Sequence, residues 1–276
     1  MDCTSDSGGI AVRMLGRFQI VAGGRVVIDH SWPRRKAMAL VKLLALRPGR
    51  AAHREAVLDL LWPELDVRAA SNNLRQSMHH LRAALAAAGV TVALIVTQGT
   101  VLALAPDAVT DVEEFRAKAA RARTSGDARA YADALALYTG DLLPEDLYQP
   151  WTERPRDEAR NLSMALLLEL SRLQATRGDS EDAMSNLHRL LAAEPAHEEA
   201  HRALMVLYAE TGARYRALRQ YLACQQALDR ELGVEPLEET QALYREIAAG
   251  RLSAAAHASP QPGRAKGSQR PSADRS

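Results

Sequence analysis

The chain has 276 residues and a formal net charge of +1, a length that accommodates two domains. Ala, Leu and Arg dominate while aromatic residues make up only 4%, a balance that favours helices over sheets. Because no apolar run approaches the ~20 residues of a membrane span and the start lacks a secretory signal, we expect a cytoplasmic protein without a membrane partner.

Residues 12–105 switch between strand-like and helix-like patterns. Alternating apolar and polar positions around Gly16 and Gly23-Gly24 predict short antiparallel strands over 12–28. Three helices are then predicted at about 33–47, 54–62 and 69–88, and a hairpin turning at Gln98-Gly99 follows. The predicted buried positions are Ala37, Leu40, Val41, Leu44 and Ala45 in the first helix; Ala56, Val57, Leu60 and Leu61 in the second; and Leu74, Met78, Leu81 and Leu85 in the third.

This order of elements is that of a winged helix-turn-helix of the response-regulator type. We therefore predict an α+β winged helix over residues 10–106, preceded by a flexible N-terminus over 1–9. The tail, residues 253–276, is rich in Ala, Ser, Pro and Gly and lacks large apolar residues, so it is predicted to be disordered.

Residues 111–252 are predicted to be entirely helical. Breaks are expected at 125–126, 140–144, 178, 195, 212 and 233–236. A period of 34 residues relates Gly178 to Gly212, and each glycine is followed five residues later by an alanine, Ala183 or Ala217. This is the length of a tetratricopeptide repeat, with small residues where paired helices cross closely. The predicted fold class is mainly α, a winged helix followed by an all-α tetratricopeptide-like domain.

Charge is divided unequally along the chain. Residues 10–105 carry 13 Lys or Arg against 5 Asp or Glu, whereas residues 106–252 carry 18 against 26. A basic first part joined to an acidic remainder indicates that the first part meets a polyanion such as double-stranded DNA.

The third predicted helix, with the sequence SNNLRQSMHHLRAAL, carries the chemistry for reading DNA. It has no acidic residue between 69 and 88, whereas an ordinary solvated helix face is rich in Glu and Lys. Amide side chains can bond in pairs to adenine, and arginine suits guanine or phosphate. The predicted base-contacting residues are Asn72, Asn73, Arg75, Gln76 and His79.

Other polar residues are predicted to contact phosphates, which sets affinity and register without reading sequence. Several of them begin a helix, where free N–H groups already favour anions. The set comprises Arg34, Arg35, Lys36, Arg50, His53, Arg54, Arg68, Ser71 and Arg82. The hairpin tip, with Gln98 and Thr100, is a candidate wing that could reach a minor groove.

The sequence resembles the Streptomyces antibiotic regulatory protein family over residues 12–250. The resemblance rests on VRMLGRFQIVAGGR, on PRRKAMALVKLLALRPGR, and on the LWP, SNNLR and LRAAL segments. It continues through YTGDLLPEDLYQPWTERPRDEAR and LDRELGVEPLEETQALYREI. It implies an OmpR/PhoB-type winged helix joined to a bacterial transcriptional activation domain. Members are implied to bind direct repeats in promoters as tandem protomers, to recruit RNA polymerase and to control a pathway such as secondary metabolism.

Two alternatives come from other functional classes. An enzyme is disfavoured because the sequence lacks phosphate-loop, nucleophile-elbow and zinc-protease motifs, so no catalytic residue, cofactor or metal site is predicted. Cys3 and Cys224 lie far apart, and neither has a neighbourhood of metal ligands. The other alternative is a repeat scaffold, with or without a small-molecule effector, whose winged helix serves protein contacts.

Overall fold

The computed structural model describes residues 9–252, which form seven β-strands and ten α-helices. The chain divides into two compact units, one ending at Asn186 and the other beginning at Leu187. The predicted fold class is confirmed, since strands and three helices of a winged helix precede an all-helical remainder. Residues 1–8 of the predicted flexible N-terminus and the whole predicted tail lie outside the described residues.

The first sheet begins with three antiparallel strands, as predicted. They are β1 (Ile10–Arg13), β2 (Gln19–Ala22) and β3 (Arg25–Asp29). Gly23 and Gly24 make the turn between β2 and β3 with φ angles of +53° and +73°. Glycine adopts this left-handed backbone without the steric cost of a Cβ atom, which allows a two-residue hairpin turn.

Three helices and a second sheet complete the winged helix. The helices are α1 (Arg35–Leu46), α2 (Arg54–Leu61) and α3 (Val67–Ala87), and all five predicted core positions of α1 are buried. The second sheet has the order β4–β6–β5, from β4 (Ala51–His53), β5 (Ile95–Gln98) and β6 (Val101–Leu104). The β5–β6 hairpin was predicted, whereas β4 is too short to show an alternating pattern.

The buried side of α2 differs from the prediction. The helix buries Val57, Leu58 and Leu61, whereas Ala56 and Leu60 are exposed. Its apolar residues cover more than half of the helix circumference, so the sequence is compatible with two neighbouring stripes. Packing against α1 and α3 determines which of the two stripes is buried, and the sequence of α2 alone does not contain that information.

The same unit continues through β7 and three further helices. A two-residue strand, β7 (Val109–Thr110), pairs parallel with β1 and leads into α4 (Asp111–Ser125). Next come α5 (Ala128–Leu135) and α6 (Pro150–Arg177). The predicted breaks at 125–126 and 178 are confirmed, since Gly126 and Gly178 follow α4 and α6 in the left-handed conformation.

A buried cation joins α1 to the loop between α5 and α6. The Nζ atom of Lys42 lies 2.9 Å from Oε1 of Glu145 and 2.5 Å from Oδ2 of Asp146. Only 3% of the Lys42 side chain is exposed, and its ammonium lies 4.6 Å from the centre of the Phe18 ring. The loop is held in turn by Arg156, whose guanidinium donates to the carbonyl oxygens of Leu142 and Asp146. These bonds thus connect the winged helix to the helical segment, the helices that follow β7.

Asp111 makes a second connection, from the first turn of α4 to the end of β1. Its Oδ2 atom accepts hydrogen bonds from the amides of Met14 at 2.7 Å and Leu15 at 2.8 Å. Burial raises the pKa of the Asp111 carboxyl, and this effect outweighs the opposing hydrogen bonds from the backbone. A raised pKa in the folded state means that this carboxyl favours folding at acidic pH and loses that contribution as pH rises through the folded pKa.

The last helix of the first unit, α7 (Ser180–Ala193), runs across the boundary into the second unit. The second unit also contains α8 (Glu198–Glu210), α9 (Arg214–Leu232) and α10 (Glu238–Ala248). The helices α8 and α9 pack against each other, and Ala217 of α9 is fully buried, as expected for the small residue that follows Gly212 by five positions. Burial also raises the pKa of the Cys224 thiol to about 12, which makes it a neutral core group.

Within residues 9–252, no helix is long and apolar enough to cross a membrane. The same residues bring together no group of three or more His, Cys, Asp and Glu side chains that could hold a metal ion.

Candidate nucleic-acid interface

Local sequence signals account for both ends of α3. The side chain of Asp66 accepts a hydrogen bond from the amide of Ala69 at 2.8 Å and thereby caps the first turn. At the other end, Gly89 follows the helix with a φ of +81°. The result is a helix of 21 residues, about 31 Å long, that contains no acidic side chain.

The inner face of α3 determines which residues point outward. Ala70, Leu74, Ser77, Leu81 and Leu85 are buried, at spacings of four, three, four and four residues. Met78, which was predicted to belong to this stripe, is only half-buried, and Ser77 takes the buried position. At 100° per residue, Met78 lies about 60° from the centre of the stripe, which explains its partial exposure.

The outer face brings together four of the five residues predicted to contact bases. Asn72, Arg75, Gln76 and His79 are all exposed, and the small Ala83 extends the same face. Asn73 is half-buried, because it lies about 100° around the helix from Asn72, towards the packed side. The outer face therefore offers two amides, a guanidinium and an imidazole, all of which can bond to base edges.

Exposed arginines lie on α3 and at the start of α1. Arg68 and Arg82 are exposed on α3 itself, while Arg34 and Arg35 are exposed at the start of α1. The N-terminus of α1 has no side-chain cap, so its first amides add to the positive potential there. Among residues 9–252, no carboxylate lies within ion-pair distance of these four guanidinium groups. Their charges are therefore available to an external anion.

The start of α2 and the wing lie at one end of the second sheet. β4 pairs with β6, so His53 is opposite Val101, and the amide of Arg54 donates to the carbonyl oxygen of Thr100 at 2.7 Å. The wing residues Gln98 and Thr100 are exposed, as is His53, whereas Arg54 and the predicted phosphate contact Ser71 are half-buried. The structure thus places the wing beside the predicted phosphate contacts of α2, a proximity that depends on β4.

Two cations predicted to contact phosphate already have partners inside the protein. Lys36 donates from Nζ to the carbonyl oxygen of Leu61, at the end of α2. The guanidinium of Arg50 donates to the carbonyl oxygens of Pro106 and Ala108, and its Nε lies 3.7 Å from Glu113. Both side chains therefore connect elements of the first unit, a role that the sequence did not predict because their partners are distant in the chain.

Comparison with known proteins places two domains on the chain. Residues 108–248 match the bacterial transcriptional activator domain family, and residues 32–101 match the family described as "Transcriptional regulatory protein, C terminal". Both matches agree with the resemblance found in the sequence.

The similar curated proteins are two regulators from Streptomyces. Regulatory protein AfsR of Streptomyces coelicolor is 28% identical over 250 residues, covering 88% of this chain and 24% of that protein. Regulatory protein AfsR of Streptomyces griseus is 27% identical over 230 residues, covering 81% of this chain and 23% of that protein. The chain thus spans about a quarter of the length of these relatives.

A solved structure confirms the fold. The chain superposes on EmbR of Mycobacterium tuberculosis, determined in complex with a low-affinity phosphopeptide, with a TM-score of 0.71. The superposition covers 87% of this chain and 65% of EmbR, at 21% sequence identity.

Proposed function

This chain belongs to the bacterial transcriptional activator domain family, as a regulator of the Streptomyces antibiotic regulatory protein type, and we propose that it binds promoter DNA and activates transcription. The observation that carries the proposal is the outer face of α3, where Asn72, Arg75, Gln76 and His79 are exposed together on a helix without acidic residues. Such a face suits the base edges of a major groove, and promoter binding would place its action in the bacterial cytoplasm.

The dimensions of α3 fit this role. An α-helix with its side chains is about 10–12 Å across, and the major groove of B-DNA is about 12 Å wide. Asn72 and Gln76 are one helical turn apart, so they would meet neighbouring base pairs and suit adenine. Arg75, between them, would suit guanine.

The proposed phosphate contacts come from α3, from the start of α1, and from the junction of β4 with α2. They are Arg34, Arg35, His53, Arg54, Arg68, Ser71 and Arg82. The set omits Lys36 and Arg50, because both already bond to main-chain carbonyl oxygens. Gln98 and Thr100 at the wing would lie against the minor groove, where they could add hydrogen bonds but no charge.

The helical segment is proposed to contact proteins and not DNA. Residues 106–252 carry 26 acidic against 18 basic side chains, so this part of the chain is repelled by phosphate. Paired helices present surfaces that suit protein partners. We assign these surfaces to a second protomer on an adjacent direct repeat and to RNA polymerase, the partners implied by the family resemblance.

The salt dependence of DNA binding tests the proposal with the full-length protein. Five arginines stand in the proposed phosphate set, so the slope of log K against log salt concentration is expected to be about −4.5. Replacing Arg34 with alanine should reduce the magnitude of this slope by about 0.9. The affinity itself can be measured by fluorescence anisotropy with a labelled promoter duplex.

Arg129→Ala is the matched control, because Arg129 is an exposed arginine of α5, outside the winged helix. Its slope should equal that of the wild type. A wild-type slope near zero, or an equal reduction in both variants, would refute the proposed interface.

A further inference from the structure

The first unit contains an open groove that DNA binding leaves unexplained. Its volume is about 880 Å³, within the range of about 300–1,000 Å³ that is usual for small-molecule sites. Four helices contribute to its walls: α1 and α2 of the winged helix, and α4 and α6 of the helical segment. A ligand bound here would therefore touch DNA-binding and helical elements at once.

The groove has apolar walls. Leu43 and Val112 are buried at its base, and Leu60 leaves 39% of its surface exposed beside them. Trp151 contributes its indole ring, and its Nε1 atom is shielded from solvent without a hydrogen-bond partner among the described residues. Because this N–H is closed off from solvent, a ligand in the groove would meet the indole ring and not its donor.

The rim of the groove carries an excess of positive charge. Arg116 and Arg154 share a single carboxylate, that of Glu158, at 3.0 and 2.9 Å. Arg47 is exposed at the end of α1, and no carboxylate in residues 9–252 lies within ion-pair distance of it. Three arginines against two glutamates therefore line the site, which favours a ligand that brings one negative charge.

We propose that this groove binds a small amphipathic anion, with an apolar body against Leu60 and Trp151 and a carboxylate at Arg47. Such a molecule would act as an effector of DNA binding, because it would bridge α1 and α2 of the winged helix to α4 and α6. The proposal does not depend on the DNA interface, since ligand binding can be measured without DNA.

Titration of the full-length protein with decanoate tests this site, with decan-1-ol as the matched uncharged probe. Binding is followed by tryptophan fluorescence. The Trp151→Phe variant shows which part of the fluorescence change comes from Trp151 in the groove and which part comes from Trp32 and Trp62. Decanoate should saturate one site per chain and bind about fivefold more tightly than decan-1-ol, which is the effect of one partly exposed ion pair.

Two groove variants and one control sharpen the test. Arg47→Ala should lower decanoate affinity about fivefold without changing that for decan-1-ol. Leu60→Trp should weaken both probes by filling the groove, whereas Arg129→Ala should change neither. Unsaturable decanoate binding, equal affinity for the two probes, or equal losses in Arg47→Ala and Arg129→Ala would each overturn the proposal.

Discussion

Replacing Lys42 with alanine is expected to lower the free energy of unfolding of the first unit by about 2–4 kcal/mol. The substitution leaves Glu145 and Asp146 next to each other without their cation, and only 24% and 22% of their side chains are exposed. It also removes the aliphatic stem and the ammonium from the Phe18 ring. Lys42→Met keeps the stem, so it should lose less stability than Lys42→Ala.

Urea unfolding followed by tryptophan fluorescence measures this effect. Trp32, Trp62 and Trp151 are the three tryptophans of the chain, and all lie in the first unit, so the signal reports that unit alone. The control is Lys118→Ala, because Lys118 pairs with Glu114 at 3.1 Å on the outside of α4. Such a pair stabilises a helix by about 0.3–0.5 kcal/mol. Equal losses in Lys42→Ala and Lys118→Ala would contradict the buried connection.

Alanine at Asn72, Arg75 or Gln76 is expected to cost about 1–3 kcal/mol on the cognate site, about 5- to 150-fold in affinity. Each side chain is exposed on the outer face of α3 and can bond to a base edge. The loss on random DNA should be much smaller, because non-specific binding depends on phosphate contacts. Binding curves on a cognate duplex and on a random duplex, at one salt concentration, give the loss of affinity on each.

Asn73→Ala provides the internal control for this face. Asn73 has the same side chain as Asn72 but is half-buried towards the packed side. Its replacement should reduce cognate binding much less than Asn72→Ala does. An equal loss for both variants would mean that base reading is not confined to the exposed face of α3, and an equal loss on both duplexes would reassign a residue to phosphate contact.

The order of elements could be predicted because its signals are local. Gly126, Gly178 and Gly212 stop helices through their own backbone preferences, and the stripe of α3 repeats within a single helix. The outer face of α3 follows directly from that stripe. Most of the candidate reading surface was therefore accessible from the sequence.

The connections between elements could not be predicted, because their partners are distant in the chain. Lys42 meets carboxylates more than 100 residues away, and Asp111 bonds to amides almost as far off. In the sequence, Arg50 cannot be distinguished from a cation that contacts phosphate. Only the folded structure shows that its guanidinium donates to the carbonyl oxygens of Pro106 and Ala108. Side-chain pairing of this kind depends on the assembled fold.

Selection of bound sequences from random duplex DNA tests the central claim most directly. The full-length wild type should enrich a short motif, present as two copies in the same orientation. Gln76→Ala should enrich a motif with a weaker preference at one base position and unchanged preferences elsewhere. Failure of the wild type to enrich any motif, or identical motifs from the wild type and Gln76→Ala, would contradict base reading by the outer face of α3.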